Sequence, residues 1–248
     1  MSTDAAPPLP TPILPYRSKT YSAIDPTKPE VSSKGKTILI TGGGAGIGKA
    51  TALSFAKSGA AHIGIIGRRA NLLDSVKKEI ESAYPDTKVY TFAGDLVDTA
   101  SITSAVHNFG AALKTATSNQ DAKIDVLVAG AGYLNDLVSF DEIDPQDFWY
   151  TFEANVKGSF DLLRAFGPLA APDAVVLNVS SGAAWLPCMP GANNMPYVSS
   201  KIAAIRVFDY FAGARPGIRL VHLHPGIVGT EMGNKAADAG AGFPFDDG

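Results

Sequence analysis

The chain has 248 residues, of which 46% are hydrophobic, and a formal net charge of −3. That length suits one α/β domain with a sizeable core, and no shift in composition marks a second domain. The absence of basic clusters argues against nucleic acid and anionic membrane partners, no apolar run reaches the roughly 18 residues of a membrane span, and the single cysteine, Cys188, excludes an internal disulfide or a cysteine-based metal cluster.

Residues 1–34 contain Pro7, Pro8, Pro10, Pro12, Pro15, Pro26 and Pro29, too many for a helix or a central strand. They read as an extended arm or disordered leader, with a polyproline ligand for an SH3-like partner as the alternative. No positively charged stretch followed by an apolar run opens the chain, so export through a signal peptide is not expected and a soluble, cytoplasmic protein is.

A single domain is read over residues 35–232. Thr37 to Ile40 is a β-branched strand, followed by a glycine-dense turn and by Lys49 to Ala56, which has helical composition. Glycines at such a turn let bare backbone approach a ligand, and the helix start offers unpaired N–H groups and a positive dipole end, so a pyrophosphate is the natural guest. Gly42, Gly44, Gly46, Ile47 and Gly48 form this candidate cradle.

Gly42, Gly46 and Gly48 are spaced as Thr-Gly-x-x-x-Gly-x-Gly, which resembles the fingerprint of the short-chain dehydrogenase/reductase family. The resemblance implies a Rossmann-like, doubly wound and largely parallel sheet with helices on both faces, binding NAD(P) at the carboxyl ends of its strands.

The second strand, Ala61 to Ile66, ends at Gly67-Arg68-Arg69, about 20 residues past the last glycine, where a dinucleotide site reads the adenosine ribose. An acid there would bind the 2′-hydroxyl; two guanidiniums favour a 2′-phosphate, so NADP(H) is expected over NAD(H), with Arg68 the better candidate by family position. The alternative is that the arginines are merely solvated at a helix start. A helix from Asn71 to Tyr84 and a third strand, Thr87 to Phe92, lead into Gly94-Asp95-Leu96-Val97-Asp98. This resembles the family's adenine-binding Asp-x-x-Asp segment with Asp95 first, while Asp98 reads as the cap of a helix over Thr99 to Ala116.

The fourth strand, Ile124 to Ala129, enters Gly130-Ala131-Gly132, where the family usually has Asn-Asn-Ala-Gly. Ala129, Gly130 and Ala131 suit close approach to the cofactor, but the amides that usually steady the central strands are absent. Pro145 to Phe166 reads as one long helix capped by Asp144, containing Asn155-Val156-Lys157-Gly158. Asn155 needs a polar partner if buried; the resemblance gives it a water that links the lysine of the site to solvent, and gives Gly158 close packing against another helix in a homodimer or homotetramer.

The fifth strand, Ala174 to Val179, ends at Ser180-Ser181-Gly182, and Pro196 to Lys201 begins the next helix. Tyr197 and Lys201, four apart, share one helix face. The resemblance makes Tyr197 the acid/base, Lys201 the group that lowers its pKa and Ser181 the donor to the substrate oxygen, leaving Ser180 to cap or support the strand end. Ser181 and Tyr197 are 16 residues apart, slightly more than the family pattern, so the loop from Trp185 to Met195 should bulge; Trp185, Leu186, Met189 and Met195 could wall an apolar substrate cleft.

A sixth strand, Ile218 to Leu223, runs into His224-Pro225-Gly226-Ile227-Val228-Gly229-Thr230, resembling the segment that meets the nicotinamide carboxamide through Pro225, Gly226, Ile227 and Thr230. His222 and His224 read as ordinary strand-end residues, and no metal is expected. Residues 233–248 read as a flexible, truncated tail, the substrate-covering helix and a seventh strand being apparently missing. The expected activity is NADP(H)-dependent hydride transfer between an alcohol and a ketone. The alternatives are a cofactor-binding but catalytically idle sensor, and an epimerase or dehydratase of the extended branch of the superfamily.

Overall fold

In a computed structural model of the chain, residues 20–185 and 193–238 are described. Six parallel strands, β1 (Thr37–Thr41), β2 (His62–Gly67), β3 (Lys88–Ala93), β4 (Ile124–Ala129), β5 (Ala170–Val179) and β6 (Arg219–Leu223), form one sheet in the order β3-β2-β1-β4-β5-β6. The order reverses between β1 and β4, which opens a crevice at their carboxyl ends. Every residue of β1 is buried because helices cover both faces of the sheet, which is why it reads as a continuous apolar run.

Side chains alternate along β1: Ile38 and Ile40 pack with Ala52 of α1 (Gly46–Lys57) and with Leu73, Val76 and Ile80 of α2 (Ala70–Ala83), whereas Leu39 points to the opposite face. There it meets Val106 and Phe109 of α3 (Thr99–Thr117), Leu162 and Phe166 of the helix that ends at Phe166, and Phe208 of α6 (Met195–Gly213). Asp98 caps α3 as expected, its carboxylate accepting the Ala100 and Ser101 N–H groups.

The long helix over 145–166 is not uniform. It consists of α4 (Pro145–Phe152), a π-helical turn (Glu153–Lys157) and α5 (Gly158–Phe166). Gly158 does not serve a helix pair: a Cβ there would lie 2.7 Å from the Leu96 carbonyl oxygen and Cβ, so this glycine admits the loop after β3.

Of the expected arm and tail, only residues 20–34 and 233–238 lie among the described residues. Residues 20–34 form two 3-10 turns, Ser22–Ile24 and Pro29–Val31, and the arm docks at Ser33, whose N–H donates to Ser58 O at 3.0 Å and whose hydroxyl reaches Phe55 O at 3.1 Å. The tail expected to be flexible from 233 is helical as far as Asp238, in α7 (Glu231–Asp238). The helix starts there because Thr230 caps it: its hydroxyl accepts the Gly233 N–H at 3.1 Å and its carbonyl the Asn234 N–H at 2.7 Å. Among the described residues β6 is an edge strand, with Arg219, Val221 and Leu223 exposed.

Candidate active site

The glycine turn is built by contacts that leave no room for side chains. Gly42 and Gly46 have φ of 75° and 49°, in the left-handed region. A Cβ on Gly42 would lie 3.0 Å from Ala131 N, one on Gly130 2.9 Å from Thr41 O, and one on Gly48 2.2 Å from Gly42 O. The small segment after β4 therefore packs directly on the turn after β1. Thr41 Oγ1 accepts the Ala131 N–H at 3.2 Å, so a threonine hydroxyl supplies a tie at the point where the family pattern would have amides.

The cleft over this turn is lined by Gly42, Gly44, Arg68, Arg69, Asp95, Leu96, Gly130 and Ala131 from the expected set, together with Gly132, Tyr133, Tyr150 and Met232. Gly46, Ile47, Pro225 and Thr230 line a second groove, shared with Ile24, Pro26 and Val31 of the arm, and a Cβ on Gly46 would meet Thr230 Cγ2 at 2.9 Å. Gly48 packs on Gly42 rather than lining either space. Arg68 is exposed at the cleft edge, and Arg69 pairs with Glu231 at 2.9 Å. The Asp95 carboxylate accepts the Val97 N–H at 3.3 Å, folding back on its own turn.

Beside this cleft, α6 brings up Tyr197 and Lys201. The Ser181 side chain lies close enough to the Tyr197 phenol to act on its ionisation, and Lys201 Nζ lies 5.6 Å from the Tyr197 ring centroid. Burial pushes the phenol above its ordinary pKa, and the neighbouring Ser181 side chain pulls the other way. Burial also draws the Lys201 ammonium down to about 8. Its Nζ donates to Val179 O at 3.0 Å, and desolvation dominates both groups. The Ser180 hydroxyl, expected to cap the strand end, makes no hydrogen bond; its backbone N–H does that work, donating to Leu223 O at 2.8 Å.

Asn155 sits in the π turn with its amide fully engaged. Oδ1 accepts the Tyr133 N–H at 2.8 Å, and Nδ2 donates to Tyr133 O at 2.8 Å and to Ser200 Oγ at 2.9 Å. The side chain thus clamps the loop after β4 onto α6. Gly132 gives it room, since a Cβ there would approach Asn155 Oδ1 at 3.3 Å and Lys201 Nζ at 3.4 Å. Sequence reasoning missed Gly132, Tyr133, Ser200 and Asn135; a Tyr-Leu-Asn-Asp loop carries no signal that its Asn135 meets Tyr197, 62 residues away.

Trp185 and Met195 flank Ser181 and Tyr197 in sequence, and Trp185 is exposed. Leu186, Met189 and Cys188 lie outside the described residues. His222 is held between Asn178 and Asp209 at 3.0 Å each, a strand-end role. Among the described residues no helix is long and apolar enough to cross a membrane.

A family model described as short chain dehydrogenase matches residues 36–240. A short chain dehydrogenase/reductase of Claviceps purpurea is 30% identical over 237 residues, covering 94% of this chain and 76% of that relative. The short chain dehydrogenase/reductase nsrO of Aspergillus novofumigatus is 31% identical over 239 residues, covering 93% and 76%. Among solved structures, an alcohol dehydrogenase from the archaeon Thermococcus sibiricus, complexed with 5-hydroxy-NADP, superposes with a TM-score of 0.69 at 26% identity over 81% of this chain and 80% of that one. A 3-oxoacyl (acyl-carrier-protein) reductase from Agrobacterium tumefaciens with NADP bound shares the fold, with a TM-score of 0.71 at 23% identity over 84% and 76%.

Proposed function

We propose that this chain, which belongs to the short-chain dehydrogenase/reductase family and is by that membership an NAD(P)-dependent oxidoreductase, prefers NADP(H) and reduces a ketone or oxidises the corresponding alcohol through Ser181, Tyr197 and Lys201. The observation that carries the reading is the convergence of Ser181, Tyr197 and a buried lysine at the edge of a glycine-walled cleft.

The residues fit a dinucleotide. Backbone at Gly42 and Gly44 leaves space that side chains would fill, the start of α1 supplies N–H donors, and Arg68 stands exposed where a 2′-phosphate would arrive. When bound, the nicotinamide supplies or accepts the hydride. Tyr197 gives its phenolic proton to the carbonyl oxygen in reduction and takes the alcohol proton in oxidation. Ser181 donates to the same oxygen and steadies the charge developing there. Lys201, when protonated, places a positive charge close behind the phenol and favours phenolate. Asn155 holds the loop and α6 in register around this group.

Trp185, 65% exposed, supports an apolar substrate. The exposed Trp149, Phe160, Ile202 and Tyr210 on α4, α5 and α6 support a homo-oligomer through those helices. The test is a screen of ketones with NADPH and NADH against wild type and Tyr197→Phe. Cofactor binding without turnover, indifferent to that substitution, would favour the catalytically idle alternative.

A further inference from the structure

The first turn of a helix leaves backbone N–H groups without intrahelical acceptors. In α6 that turn carries Tyr197, and the residue at its cap, Asn194, makes no side-chain hydrogen bond to it. The Tyr197 N–H donates instead to Asn135 Oδ1 at 3.1 Å, across 62 positions of sequence. Asn135 is 1% exposed, and its own Nδ2 donates to Asp136 O at 2.6 Å, which fixes which amide atom faces α6.

The loop that presents Asn135 is gripped from three further elements. Asn155 of the π turn holds both backbone groups of Tyr133. Asp147 of α4 accepts the Tyr133 hydroxyl at 2.7 Å and the Asp136 N–H at 2.8 Å. Lys235 of α7 donates to Leu134 O at 3.0 Å and to Asp136 Oδ1 at 2.8 Å. A loop held this firmly can serve as a reference frame, and Asn135 is its contact with the start of α6.

We propose that Asn135 is a positioning residue for Tyr197: by capping the first turn of α6 from another segment it fixes where the phenol stands relative to Ser181 and the cleft. The inference rests on the reading of Tyr197 as the acid/base, and its effect is one of placement, since a buried N–H left without an acceptor would pull the turn toward another partner.

The test compares Asn135→Leu and Asn135→Ala, which remove the acceptor with and without filling the space, and Asn135→Asp, which keeps an oxygen facing the Tyr197 N–H. Steady-state kinetics use NADPH and a ketone that wild type reduces, and amide hydrogen exchange is followed over residues 195–201. Both acceptor-less variants are expected to lose kcat about 10- to 100-fold. Their KM for NADPH should stay within about twofold of wild type. Exchange over the first turn of α6 should quicken, and Asn135→Asp should recover most of the rate and protection. Two truncations guard against one failing to fold. Wild-type kcat and exchange in either folded truncation, or an equal loss in Asn135→Asp, would overturn the inference. Failure of the underlying reading looks different: wild type reduces no ketone or Tyr197→Phe matches it, and the exchange contrast alone then decides whether Asn135 holds Tyr197.

Discussion

Lys201 Nζ donates to the carbonyl oxygen of Val179, the last residue of β5, at 3.0 Å. This ties the middle of the site to the sheet and keeps the ammonium away from water, and desolvation draws its pKa from 10.5 to about 8. Between those values the unfolded chain binds more protons than the folded one, so this group's contribution to stability rises with pH across the window; below about pH 8 the cost of a buried ammonium is present in full. Urea denaturation of wild type and Lys201→Met should therefore show wild type gaining on the variant by up to about 3 kcal/mol between roughly pH 8 and pH 10.5. A flat difference across that range would contradict the assignment. The kcat/KM of wild type, which reports the free enzyme, should fall on the alkaline side as the same ammonium is lost.

The two adjacent serines should separate cleanly. Ser181 acts on the Tyr197 phenol and accepts the Ala183 N–H at 3.3 Å, whereas the Ser180 hydroxyl is buried without a partner. Ser181→Ala should lower kcat about 100-fold, and Tyr197→Phe by about 1,000-fold or more, with NADPH affinity preserved in both. Ser180→Ala should keep its activity and lose no stability, because it removes a desolvated hydroxyl that bonds to nothing. The three variants, assayed side by side with thermal melts, decide which serine faces the substrate.

Much of this was legible in the chain because the signals were local. β1 is a β-branched run ending at glycine, and Asp98 stands directly before a helical pattern, so strand, turn and cap all read correctly. What escaped depends on packing across the sequence. The apolar spacing over 145–166 is continuous, so nothing in it marks the π turn that places Asn155. Gly158 reads as a helix-packing glycine, yet which surface a helical glycine meets is set by the tertiary fold, and here it meets the Leu96 backbone. The helix α7 lay hidden in a stretch of small and polar residues because its anchors, Arg69 and Asp136, are far away in sequence.

The Arg69–Glu231 pair offers a test of the proposed cofactor preference. Their pair at 2.9 Å is exposed on both sides and adds little stability, but a 2′-phosphate arriving at the end of β2 would compete with the Glu231 carboxylate. Glu231→Gln should tighten NADPH binding by about three- to tenfold at low salt and leave NADH unchanged, with the gain shrinking as salt screens it. Arg68→Asp should cut the NADPH-over-NADH preference by about tenfold or more. Fluorescence titration of both cofactors measures each effect, and an unchanged preference in Arg68→Asp would remove the phosphate role from that residue.

Two helical glycines make opposite predictions from the same substitution. A Cβ on Gly48 would fall 2.2 Å from Gly42 O and 2.7 Å from Gly42 C, and these are backbone atoms that no rotamer change can clear. Gly48→Ala must push α1 off the glycine turn, costing about 1–3 kcal/mol and weakening NADPH binding, because the N–H groups at the helix start move with it. Gly213, near the end of α6, has nothing within 4 Å of the same position. Gly213→Ala should raise stability by about 0.5–1 kcal/mol through the lost entropy of the unfolded chain and leave NADPH binding alone. Equal effects at the two sites would mean that the turn and the helix are not in the contact that shapes the cleft.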